Sequence, residues 1–497
     1  MNINIELLAL EIDRSFDAKD AVELRRLIEV CRSALIEVES SQRVDLNYFI
    51  ANAYSDLWRI RSDVEGPWEW KAHEAVQEIL ALRRAIDEQA FEQSTHIRQC
   101  QIRTNLANSL SGLGRTVEAI EEYSKVLKLD ATFAMALGNR AYAMTTYSWY
   151  LYDTGHQCVI LDCAQNDYRN ALQPTAFWDS GFEARAADQF AEKLTEIKSY
   201  LDYVGFDDNI HLASFSLGET HKEVEYRRWC LSNHLFLNPL NDVMDKSIAA
   251  KDVLHLPSHS YQIDEEARFP TYYNILKQEY VSARYHLFES RCFDEDHMVD
   301  REVLLVESFD YGQLDFRTEQ LKLAFRSAYS ILDKVALFLN DYFHIGLRAK
   351  QVSFRQVWET QVKGGAMELR SPFVGTKNLP LRGLYFLSKD FFDDDFVELA
   401  SPDAKGLAEL RNFAEHKFLT LTDFGSPQTE DEQHRLISRD EFALKTMRVI
   451  KMARASLIYL SMAMYREEQI RSEAKLGEDT KISVPVLSVV RKRHTEM

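Results

Sequence analysis

The chain is poor in glycine and proline, with 17 and 10 in 497 residues, so tight turns are scarce and long helices must carry most of the fold. Its six cysteines, Cys31, Cys100, Cys158, Cys163, Cys230 and Cys292, include no Cys-x-x-Cys pair. Scattered in this way they argue against a disulfide framework and for free thiols in a reducing compartment. No run of 18 apolar residues exists, which excludes an ordinary membrane-spanning helix. The start, Met1-Asn2-Ile3-Asn4-Ile5, has neither the basic residues nor the apolar core of a secretory signal. A cytoplasmic protein without a membrane partner is expected.

Positive charge is also in short supply. Lys and Arg number 59 against 78 Asp and Glu, a net charge of −19, which argues against a broad nucleic-acid coat because phosphate contacts need clustered cations. The deficit is uneven. Between Ser401 and Met497, 16 Lys and Arg face 15 Asp and Glu, so that stretch is near +1 and the remainder near −20. A small site on RNA is compatible with this balance.

The composition, 46% apolar and 28% charged, is that of a soluble globular protein, and the length implies two or three domains. The expected class is all-α, with a helical repeat array over residues 1–200, a helical linker over 201–269, a bundle over 270–475 and a tail over 476–497. The array is read from small residues placed where two helices must approach closely. Leu106, Ala107, Gly114, Ala119, Tyr123, Val126 and Leu129-Asp130 follow the packing pattern of tetratricopeptide (TPR) repeats, and Ala107 to Ala141 spans 34 residues, the period of that repeat. Ala164, Tyr168 and Ala171 repeat the +4, +3 spacing of Ala119, Tyr123 and Val126 after an insertion around Tyr150 to Gln157. A copy near Ile50 is interrupted at Gly66-Pro67-Trp68-Glu69-Trp70. The resemblance to TPR arrays implies a surface for a protein partner or trigger.

Pro239, Pro257 and Pro270 punctuate the linker. Two metal patterns there and beyond are weak. His255 and His259 stand four residues apart with Pro257 between them, and Asp393-Asp394-Asp395 has no nucleotide-binding loop beside it, so a surface pair and a solvated loop are expected. No cofactor is called for. Farther on, Leu321, Phe325, Ala328, Leu332, Val335, Leu339 and Tyr342 form one core-facing stripe, and Ala443, Met447, Ile450, Ala453, Leu457, Leu460 and Met464 form another. With helices at Tyr272 to Glu289 and Leu381 to Phe392, these predict an antiparallel four-helix bundle.

Between them a helix is expected over Ser401 to Leu421, capped by Ser401, opened by Pro402 and stopped before Gly425-Ser426-Pro427. Leu407, Leu410, Ala414, Phe418 and Leu421 would face the core. Asn412 and His416 would point away from it, with Arg411 on the flank, about 140° from His416 at 100° per residue. The loose spacing alone is weak, because Arg227, Arg228 and Arg291 also precede histidines at similar distances.

A helical bundle that carries Arg411-Asn412-Phe413-Ala414-Glu415-His416 before its last long helix resembles a HEPN (higher eukaryotes and prokaryotes nucleotide-binding) domain, most strongly over Tyr272 to Tyr285, Phe316 to Gly346 and the six-residue motif. The resemblance implies a metal-independent endoribonuclease. It implies a homodimer in which paired Arg/His helices line one cleft, and in many members a toxin or antiviral role. Arg411, Asn412 and His416 are then the expected catalytic residues. Histidine is the side chain suited to proton transfer near neutrality, arginine to a bidentate grip on phosphate, and attack by a 2′-hydroxyl selects RNA. A HEPN-like scaffold in which the same residues brace a dimer or bind nucleotide remains the alternative.

Overall fold

The computed structural model describes residues 5–66, 68, 70–179, 183–207, 214–261, 268–291, 297–306, 311–363, 365–394, 398–423, 432–474 and 482–484. The expected stop at Gly425-Ser426-Pro427, the acidic corner at Asp395, Pro67, Glu69, Cys292 and most of the tail lie outside those residues.

The first part of the chain is a series of helical hairpins: α1 (Ile5–Asp17), α2 (Ala21–Ala34), α3 (Ser40–Glu65), α4 (His73–Asp87), α5 (His96–Gly112), α6 (Thr116–Leu129), α7 (Ala134–Trp149), α8 (Thr154–Ala171) and α9 (Glu183–Tyr203). Each helix packs on the next in sequence, so the core is built nearest-neighbour. Starts are defined by side-chain caps: Asp20 accepts from the N–H groups of Val22 and Glu23, Thr95 from Arg98, and Asp153 from His156. Ala107, Ala119, Ala141, Ala164 and Ala171 are fully buried, which lets the backbones approach while Tyr123, Tyr147 and Tyr168 fill the gaps. At Gly138 no side chain fits, because the Phe190 ring of α9 occupies the place of its Cβ.

One buried group in the array sets a pH dependence. Glu78 of α4 accepts a hydrogen bond from Ser109 of α5 at 2.6 Å, and burial pushes its carboxyl up to about 7. A carboxyl whose pKa is raised on folding binds more protons in the native state, so stability falls as pH rises from the ordinary value to the raised one. Glu78→Gln keeps the acceptor and removes the charge. It should raise stability by about 1–3 kcal/mol at pH 8 and by nothing near pH 4.5, as read from urea melts at the two pH values. Equal gains at both would show that Glu78 is not the titrating group.

The stretch expected as a linker is packed. After α10 (His221–Ser232), started by a Thr220/Glu223 capping box, Leu235, Phe236, Leu237, Leu240 and Asn241 are buried. The remaining helices are α11 (Arg268–Glu289), α12 (Phe316–Tyr342), α13 (Leu379–Ser388), α14 (Ala404–His416) and α15 (Arg439–Ala474). The directions of four of them follow from their contacts. Phe269 at the start of α11 meets Phe338 and Tyr342 at the end of α12, while Phe325 meets Phe442 near the starts of α12 and α15. Asn378, which caps α13, donates to the Ala463 carbonyl far along α15. Helices α11 and α13 therefore run against α12 and α15, an antiparallel four-helix arrangement, and α14 packs outside it on α12.

Arg284 of α11 forks onto Asp252 at 2.8 and 2.9 Å, and Arg454 of α15 meets Asp242 at 2.6 Å, so the segment before the bundle is tied into it. The α12 stripe is buried as expected. On α15, by contrast, residues 452–464 are buried all round rather than along one stripe. The reason is that α15 is shared. Tyr459 hydroxyl lies 3.1 Å from Glu118 and accepts from the Val117 N–H, Lys451 pairs with Glu121 at 2.7 Å, and Ser461 donates to the His255 carbonyl. The array and the bundle close on one another at a second point. Gly114, at φ +86°, and Gly383 of α13 touch backbone to backbone, and a Cβ on either would collide with the other segment.

The short strands were not foreseen. β1 (His259–Tyr261) pairs antiparallel with β7 (Ile482–Val484), and β3 (Glu359–Gln361) with β4 (Met367–Leu369). A three-stranded sheet has the order β2 (Gly312–Gln313), β5 (Phe418–Thr422), β6 (His434–Ser438), antiparallel at the first pair and parallel at the second. The chain remains predominantly helical.

Candidate active site

Helix α14 is shorter than the sequence implies. It begins at Ala404, with Asp403 rather than Ser401 at the N-cap position, and Asp403 makes no capping hydrogen bond because its carboxylate receives Lys445 at 2.7 Å. Ser401 is buried and accepts from Arg448. The helix ends at His416, where Lys417 turns extended and the chain enters β5. Phe418 and Leu421 are therefore strand residues. Leu421 is buried and Phe418 is exposed, which corrects the expected core-facing helical row.

Leu407 and Leu410 anchor α14 and place Arg411 against α12. The Arg411 guanidinium lies 4.7 Å above the Tyr329 ring, with Nη2 donating to Asp333 Oδ2 at 2.9 Å and Nε 3.4 Å from Glu415 Oε2. Tyr329 is itself wedged edge-on against Phe391, and Asp333 is held by the Phe354 N–H at 3.1 Å. Partial burial works against the charge on Arg411, but Asp333 and Glu415 outweigh it and hold the guanidinium pKa above its ordinary value. Burial pushes the Asp333 carboxyl up, with Arg411 and the Phe354 N–H pulling the other way.

His416 sits one residue past Glu415 with its side chain 71% exposed and Nε2 3.6 Å from Glu415 Oε2. The same carboxylate oxygen thus stands between the guanidinium and the imidazole. Arg411 and His416 leave the helix in different directions, and Glu415, only a quarter exposed, brings their heads to one end of α14. Asn412 is exposed on the same side of α14 as His416, four residues before it. The role of Asp333 and Tyr329 beneath the guanidinium, and the approach of His416 to the same Glu415 oxygen, were missed by sequence reasoning. The Arg411–Glu415 pair itself is the contact that their i, i+4 spacing implies.

The other candidates have structural places. His255 faces the Leu256 carbonyl at 2.6 Å and packs at a tilt against Tyr152, His259 lies on β1, and Asp393 receives Gln356 at 3.2 Å. No helix among the described residues is long and apolar enough to cross a membrane.

Residues 260–467 match the family model described as LA2681-like HEPN. The match takes in α11 to α15 through residue 467 and includes the Arg411 to His416 motif, so the C-terminal part of the chain is similar to a HEPN domain. It does not reach the helical hairpins that precede it. No curated protein and no solved structure matches the chain.

Proposed function

We propose that the chain is a HEPN endoribonuclease in which Arg411 and His416 act on one phosphodiester, and in which the N-terminal hairpins, read as a TPR-like array, receive a partner or trigger. The observation that carries this reading is the convergence of guanidinium and imidazole on Glu415 Oε2, at 3.4 and 3.6 Å, inside a HEPN domain. An arginine has five N–H donors in a fixed fork, and the contacts to Asp333 and Glu415 engage only Nη2 and Nε. The remaining donors are available to the non-bridging phosphate oxygens, where charge accumulates as the 2′-oxygen attacks. The 2′-O–P bond forms, the P–O5′ bond breaks, one proton leaves the 2′-hydroxyl and one is delivered to the departing 5′-oxygen. An exposed imidazole suits either transfer, and a second copy of α14 in a homodimer supplies the other. Asn412, exposed beside Arg411, is assigned to holding the imidazole or the phosphate. Toxin or antiviral behaviour, with activity restrained through the array, follows from this reading.

The test is product-end analysis. Incubation with tRNA or mRNA should yield 2′,3′-cyclic phosphate and 5′-hydroxyl ends, with cleavage unaffected by EDTA and absent on DNA. Products with 5′-phosphates, or cleavage that EDTA stops, would overturn it. One observation favours a binding-only domain instead: Arg411 already has two carboxylates around it. A protein that dimerises and retains RNA intact under all these conditions would establish that second reading.

A further inference from the structure

Strand β5 leaves the candidate site directly, and its first residue breaks its pattern. Leu419, Thr420, Leu421 and Thr422 are buried, yet the Phe418 ring is 71% exposed. It lies two residues after His416, at most about 7 Å along the backbone. The strand start does not need the ring, because the Phe418 N–H is satisfied by the Gln433 carbonyl at 3.0 Å. Its cross-strand neighbour in β6 is His434, whose Nε2 is 2.8 Å from the Thr420 hydroxyl. Thr420 is two residues from Phe418 and so shares its face of the sheet, which places the imidazole on that face too. On the other side, the Lys417 ammonium donates to the Glu432 carbonyl at 2.7 Å and lies 4.8 Å above the Phe413 ring. Arg435 reaches the same Phe413 ring at 6.0 Å but is paired with Glu409 at 2.8 Å, so its part is to hold the patch together.

An exposed aromatic plane with His434 on its own face of the sheet and His416 two residues before it has the composition of a single-strand nucleic-acid contact: stacking for a base, polar ring nitrogens for the phosphate beside it. A lone ring among polar neighbours is far smaller than the roughly 800 Å² each partner gives to a stable subunit interface. We infer that Phe418 is the stacking platform for the RNA base adjoining the scissile phosphate, with His434 beside that nucleotide. The inference rests on the ribonuclease reading and names the nucleotide subsite next to Arg411 and His416.

Fluorescence anisotropy with a labelled 2′-O-methyl decanucleotide tests it without cleavage, since the attacking hydroxyl is blocked. Phe418→Ala should weaken binding roughly five- to hundred-fold, the range seen for one lost base stack, and Phe418→Trp should restore it. With cleavable RNA the same alanine change should raise KM and leave kcat within about two-fold. A decanucleotide of abasic units should bind the unchanged protein as weakly as RNA binds the alanine variant. If the blocked RNA fails to bind the unchanged protein, the ribonuclease reading itself fails. If it binds the unchanged protein and Phe418→Ala equally, or if the alanine variant changes the oligomeric state by light scattering, the platform assignment fails and the ribonuclease reading stands.

Discussion

His416→Ala is expected to lower RNA cleavage by about 10²–10⁴-fold, the contribution of a positioned proton-transfer group, and to leave the melting temperature nearly unchanged. The two halves of that expectation come from the same geometry. The imidazole is 71% exposed and its ionic neighbour among the described residues is Glu415 at 3.6 Å, so little packing depends on it. Arg411→Ala should match the loss of activity but differ in stability. Removing the guanidinium strips Asp333 of its counter-charge and uncovers Tyr329, which should cost about 1–2 kcal/mol. Arg411→Lys keeps a charge over the ring but cannot fork onto phosphate and carboxylate together, so most activity should still be lost. Cleavage rates beside urea melts for the three variants separate these effects. Wild-type cleavage by His416→Ala would end the catalytic reading, whatever the other two show.

What the sequence made legible follows from which side of an element meets its neighbours. On α12 a single face meets the core, so the stripe from Leu321 to Tyr342 could be read by period alone. On α15 the same method found one stripe where residues 452–464 are buried on every side, because the array packs against the face that the bundle leaves open. The end of α14 was lost for another reason. Leu421 is apolar at a helical interval from Leu407 and Leu410, and equally at a strand interval from Leu419, and only pairing with β6 decides between them. At the candidate site the Arg-x4-His spacing was visible, and so was the divergence of its two side chains. Asp333, 78 positions away, could not be paired with Arg411 from periodicity, nor could Tyr329 be placed under it.

The largest stability effect should come from the seam between array and bundle. Asp390 is buried and receives Arg115 at 3.0 and 2.6 Å and Arg83 at 2.7 Å, both from the hairpin array. Burial opposes its charge, but the two guanidiniums hold the carboxyl well below the usual carboxylate range. Asp390→Ala leaves Arg115, itself fully buried, with Glu118 as its counter-charge among the described residues, and breaking one side of such a pair costs about 3–5 kcal/mol. The sign with pH is fixed by the depressed pKa: the contribution is complete above the unfolded carboxylate value, declines below it and is lost only as pH falls through the lower folded value. The alanine variant should therefore lie well below the unchanged protein at pH 7 and still clearly below it at pH 3, the gap narrowing only as the pH drops further, in parallel denaturant titrations. Because α15 is shared through Tyr459, Lys451 and Ser461, the loss should appear in probes of both halves at once, with Trp70 in the seam reporting alongside Trp149 in the array. A change below about 0.5 kcal/mol at pH 7 would mean the seam is not where the halves are held, and would remove the physical route by which a partner on the array could restrain Arg411 and His416.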